Sequence, residues 1–130
     1  MHRDRWTRPV IAAATDVHRA LGPGLLESVY RLALVEELRN RGIPFEQHKT
    51  VPIRYRGLIL VTGLEIELLV GGELIVEVLS ADRITDWHRA RLQTHLKFSG
   101  CRSGLLINFN VAQLPRGIRR MSLRTRQAGK

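Results

Sequence analysis

The chain reads as an α/β (α+β) domain with a central mixed β-sheet flanked by helices. Three features predict this. Two helically spaced segments open the sequence. Residues 64–79 then alternate apolar and polar side chains about a Gly71-Gly72 turn. The run Gly104-Leu105-Leu106-Ile107-Asn108-Phe109 is almost continuously apolar, the composition of a buried strand. The expected order is α-α-β-β-β-α-β-β. At 130 residues, a single domain over 1–130 is expected.

Each element has a local reason. Thr7-Arg8-Pro9 suits a helix start, with Thr7 as cap and Pro9 in the first turn. Val10, Ala14, Val17 and Leu21 follow at helical spacing until Gly22-Pro23-Gly24 breaks it. A second helix over about 25–41 carries Leu26, Val29, Tyr30, Ala33, Leu34, Glu37 and Leu38 on one broad face, with Gly42 as its stop. Residues 50–55 have strand character, and Arg56-Gly57 turns into a strand over 58–70. Residues 74–79 return. A helix over about 85–98 directs Ile84, Trp87, Leu92 and Leu96 inward. Residues 118–123 suit an edge strand, and the polar tail after Arg124 is expected to be loose.

Charge is unevenly spread. The formal net charge is +9, yet residues 61–82 hold Glu65, Glu67, Glu73, Glu77 and Asp82 with no Lys or Arg. Residues 111–130 hold Arg116, Arg119, Arg120, Arg124, Arg126 and Lys130 with no acid. A basic body around an acidic strip suits a metal-dependent enzyme acting on nucleic acid. A generic basic protein explains the charge equally well. The lone Cys101 excludes an internal disulfide and fits a reducing compartment; a buried, inert thiol is expected. No apolar run approaches the roughly 20 residues of a membrane span, and residues 1–6 do not resemble a signal peptide. The expectation is a cytoplasmic protein without a membrane partner.

The alternating segment carries the chemistry. On its outgoing arm Leu64, Ile66, Leu68 and Val70 share one face, and Glu65, Glu67 and Leu69 the other. On the return arm Ile75, Glu77 and Leu79 share a face. A three-residue loop at Gly71-Gly72-Glu73 puts Glu67 opposite Glu77; a two-residue turn would send them to opposite faces. In the first register the Cβ atoms lie about 5 Å apart, and the carboxylates repel unless a cation sits between them. Mg²⁺ or Mn²⁺ would serve; a solvated outer face is the alternative. His88 and His95 are seven apart, which is not the spacing of a helical zinc pair.

Several segments together resemble a known family. Leu21-Gly22-Pro23-Gly24-Leu25-Leu26-Glu27-Ser28-Val29-Tyr30 is similar to the signature of the GxxExxY proteins, through Gly24, Glu27 and Tyr30. Val17-His18-Arg19 and the run from Gly104 to Asn110 fit in order. That family resembles the PD-(D/E)XK nuclease-like superfamily, which implies a small restriction-endonuclease-like domain. It implies a Mg²⁺-dependent phosphodiesterase site with Glu27, Glu67 and Glu77 as metal ligands. Arg91 and His95 stand where Gln and Tyr assist catalysis, and Lys97 follows as in the family. The sequence departs at Glu67, usually Asp, and at Leu79, usually Lys. Glu65 stands where a basic residue is common. Leucine cannot position water or stabilise phosphate charge. Arg91 can supply the missing cation, or it can pair with Glu67 or Glu77 and replace the metal. The functions open at this point are a nuclease with an altered site, a non-catalytic nucleic-acid-binding or protein-interaction module, and a subunit of a homo-oligomer. Arg116, Arg119, Arg120 and Arg124 either track a nucleic-acid backbone or form a solvated basic tail.

Overall fold

In a computed structural model describing residues 4–124, the elements follow the expected order. They are α1 (Thr7–Leu21), α2 (Glu27–Asn40), β1 (Phe45–Tyr55), β2 (Leu58–Val70), β3 (Leu74–Leu79), α3 (Asp86–Ser99), β4 (Ser103–Asn108) and β5 (Ile118–Ser122). A short 3₁₀ turn, Leu114–Gly117, precedes β5. The five strands lie in sequence order across one sheet. β3 and β4 run parallel, joined over the sheet by α3, and every other pair is antiparallel.

Alternation along the central strands builds a core on each face. Leu74, Val76 and Val78 of β3 and Leu105 and Ile107 of β4 pack against Val10, Ala14 and Val17 of α1 and Tyr30, Leu34 and Leu38 of α2. Ile75, Leu79 and Leu106 point the other way, against Leu92 and Leu96 of α3. Gly104 lies under Leu92; a Cβ there would come within 2.9 Å of the Leu92 methyls. Asn108, 1% exposed, fastens the segment after β3. Its side-chain oxygen accepts from the Ala81 N–H and its amide donates to the Ala81 carbonyl, both at 3.0 Å.

Some local expectations need correction. Thr7 is the first residue of α1 rather than its cap; its N–H and hydroxyl donate to the Asp4 carboxylate, which serves the open helix end. β1 starts at Phe45, five residues before the stretch with obvious β character, because its outer half is a polar edge. Trp87 is 66% exposed on α3 instead of inward. Cys101 is half-buried, not buried. The Arg56-Gly57 turn is as expected: both residues have positive φ, 48° and 81°, which suits a tight two-residue hairpin. The tail beyond Arg124 lies outside the described residues. No helix among the described residues is long and apolar enough to cross a membrane.

Candidate functional site

The hairpin between β2 and β3 has the three-residue loop that favours the two-glutamate register. Val70 pairs with Leu74 and Leu69 with Ile75, leaving Gly71, Gly72 and Glu73 as the loop. The ladder stops after those two pairs, so Glu67 and Glu77 stand where the strands have already parted. Strict alternation also fails on β2: Ile66 joins the α3-side core, whereas Leu68 and Val70 join the other. The strand rolls at Glu67. The residue facing it on β1, His48, has φ of 56° and drops out of the ladder. Between the parted strands is a cleft of about 320 Å³, whose charged lining is Glu27, Arg31, Glu65, Glu67, Glu77, Arg91 and His95.

The α2 wall explains the Gly-x-x-Glu-x-x-Tyr spacing. Gly24 takes φ of 98° in the turn ahead of the helix. The Tyr30 hydroxyl donates to the Gly22 carbonyl and accepts from the Leu25 N–H, so it ties that turn down. Its ring stacks on Phe109, with centroids 4.7 Å apart and planes 8° apart. Glu27 is thereby fixed as the first residue of α2, where the positive helix end favours a carboxylate. One turn on stands Arg31, which the sequence reading missed. Its Nη2 lies 2.8 Å from Glu27 Oε1 and its Nε lies 2.8 Å from Glu67 Oε1. The i, i+4 spacing of Glu27 and Arg31 was the available signal. Only the fold adds Glu67.

The α3 wall holds Glu77. Thr85 caps α3, and His88 Nδ1 accepts from the Thr85 N–H at 2.9 Å, so His88 serves the cap. Arg91 and His95, further along α3, line the cleft. Arg91 Nη2 donates to Glu77 Oε1 at 3.1 Å, and His95 Nδ1 lies 2.9 Å from Glu77 Oε2. The second contact is close but off the ideal hydrogen-bond line. Burial alone would push the Glu77 carboxyl up, its side chain being 11% exposed. Contact with His95 and Arg91 outweighs that burial and holds the carboxyl below its ordinary range. Leu79, two residues on, is buried against Leu92, Leu96 and Leu106.

A mixed five-stranded sheet between two helical layers, with carboxylates at a parting of strands, defines a nuclease-like α/β class. The chain belongs to the PD-(D/E)XK nuclease superfamily, whose family profile matches residues 4–121. No curated protein and no solved structure matches it.

Divalent metals are typical of that superfamily, and carboxylate oxygens are suitable ligands in kind. The expected set of Glu27, Glu67 and Glu77 does not fit a metal as arranged. Arg31 stands between the first two, and Arg91 and His95 take the two oxygens of the third. Among the described residues no group of three or more His, Cys, Asp or Glu is placed to hold a metal ion. The four carboxylates of the cleft face two guanidiniums and one imidazole, so at least half of its negative charge is met by side chains.

Proposed function

We propose that this protein is a nuclease-fold module that binds nucleic acid without cleaving it. The observation supporting this is that the three carboxylates of the frame are engaged by side-chain cations. Cleavage of a phosphodiester needs a cation free to hold the phosphate and orient water. Arg31 is committed to two glutamates and Arg91 to a third. An arginine that stays protonated cannot act as general base either. Leu79 supplies no charge where the family carries lysine. The formal charge of +9 and the arginine-rich composition, 18 Arg against 3 Lys, suit contact with phosphates.

The test pairs two measurements on labelled single-stranded DNA, duplex DNA and RNA. Fluorescence anisotropy reads binding across a salt series; denaturing gels read cleavage with Mg²⁺ or Mn²⁺. Salt-dependent binding without cleavage is expected. Cleavage that disappears in Glu77→Ala would show a working nuclease and end this reading.

A second reading, a homo-oligomer or protein-interaction module, is favoured by the tip of the β1–β2 hairpin. Tyr55, Leu58, Ile59 and Leu60 are 42–61% exposed there. Light scattering with size exclusion tests it: a dimer that Leu58→Glu converts to monomer supports it.

A further inference from the structure

We infer that the outer edge of β5, not the acidic cleft, is the surface that grips nucleic acid. This rests on the nucleic-acid-binding reading above. Arg102, Arg116, Arg119, Arg120 and Arg124 are all exposed along β5 and its flanks. None of them forms an ion pair with an acid among the described residues. The local sequence offers them none, because the last acidic residue of the chain is Asp86.

The strand register sets their arrangement. Arg119 stands opposite Leu106 and Arg120 opposite Leu105, so the two side chains leave opposite faces of the edge strand. Leu106 belongs to the α3-side core and Leu105 to the other, so the two arginines straddle the sheet edge. The Leu123 N–H donates to the Arg102 carbonyl at 2.8 Å, which brings Arg102 to the end of β5 beside Arg124. From Arg119 to Arg124 the chain spans roughly 16 Å at strand rise, enough to meet several phosphates. Guanidinium matches phosphate with paired donors, and every charged residue of the edge is arginine; Arg119 Nη1 donates to the Arg116 and Ile118 carbonyls, which leaves its other N–H groups for a phosphate.

The cleft is poorly suited to the same task. In the row Glu77, Leu106, Arg119 the acid and the edge arginine are two strands apart, roughly 10 Å. α3 packs over the Leu106 between them. A phosphate entering the cleft would meet Glu27, Glu65, Glu67 and Glu77, and the basic residues there, Arg31, Arg91 and His95, are already in contact with those acids. Edge strands also carry charge simply to block sheet-to-sheet pairing. β1, the opposite edge, does so with Pro52 and the mixed charges Glu46, Lys49 and Arg54. The β5 edge uses one sign only, which blocking does not require.

The test compares Arg119→Ala/Arg120→Ala with Arg19→Ala/Arg39→Ala, which removes two charges from α1 and α2. Each full-length double variant is titrated with labelled single-stranded DNA between about 50 and 200 mM salt. The edge variant should bind several-fold more weakly, with a log–log salt slope shallower by about two; the control should hardly change. Equal losses in both, or no loss at the edge, overturn the inference, as does tighter binding to phosphatidylserine vesicles than to DNA. Wild-type protein that binds no nucleic acid at low salt overturns the functional reading itself. Arg119→Lys/Arg120→Lys keeps the charge and should retain the salt slope. Circular dichroism melting confirms that each variant folds; an edge variant that aggregates while binding normally assigns the arginines to edge protection and overturns the inference.

Discussion

The cleft between β2 and β3 and the edge of β5 put arginine to opposite uses. In the cleft, Arg31 and Arg91 are spent inward on Glu27, Glu67 and Glu77. On the edge, Arg119 and Arg120 have no acid to meet and face solvent. What a guanidinium can do is set by its neighbours more than by its own chemistry. The carboxylates of the nuclease-like frame sit in internal ion pairs, while arginines without an acidic partner among the described residues stand two strands away.

The strongest way to break this division is Leu79→Lys, which restores the residue the superfamily uses. Leu79 is 2% exposed among Leu92, Leu96 and Leu106, so an ammonium there should cost about 3 kcal/mol in urea unfolding. A stable variant with Mg²⁺-dependent cleavage would make the cleft a lapsed enzyme instead.

Next in size is Glu77→Ala, which strands Arg91 and His95. We expect a loss of about 2 kcal/mol at neutral pH, below the usual range for a broken buried pair because Arg91 is 38% exposed. Unfolding by urea with no change in midpoint would show that the contacts contribute nothing. The folded Glu77 carboxyl ionises below its ordinary value of 4.5. Its contribution is therefore complete above that value and lost as pH falls through the lower folded value. Across that acidic window, Glu77→Gln should lose less stability than the wild type.

Arg31→Ala should cost under about 1 kcal/mol, since Glu27 and Glu67 are roughly half exposed. It should also leave two carboxylates facing one gap. Calorimetry with Mn²⁺ is expected to show heat for the variant and none for the wild type. Equal binding by both would mean that Arg31 does not keep metal out. Smallest is Trp87→Ala, within about 0.5 kcal/mol because the indole is 66% exposed. A loss above about 1 kcal/mol would return Trp87 to the core.

Much of this was legible in the sequence, for identifiable reasons. Gly22-Pro23-Gly24, Arg56-Gly57 and Gly71-Gly72 punctuate the chain strongly, and apolar spacing between them gave the element order. The three-residue loop followed from alternation alone. Arg31 was not legible, because its role needs α2 and β2 brought together, and the pattern of neither holds that information. The roll at Glu67 was hidden for a similar reason: it sits opposite His48, on a polar edge strand whose start left no apolar trace. Trp87 misled because an aromatic residue near a helical face reads as core, and only packing decides.

The early end of the β2–β3 ladder divides the sheet mechanically. β4 is paired along both sides, by β3 and β5, and covered by helices on both faces, so its amides are released only when the whole core opens. Beyond Leu69, β2 has β1 alone for a partner, and the tip at Tyr55–Leu58 is exposed on its side chains. Hydrogen exchange should therefore give two rates within one sheet. The arm should lose its protons in local openings while β4 keeps them until global unfolding.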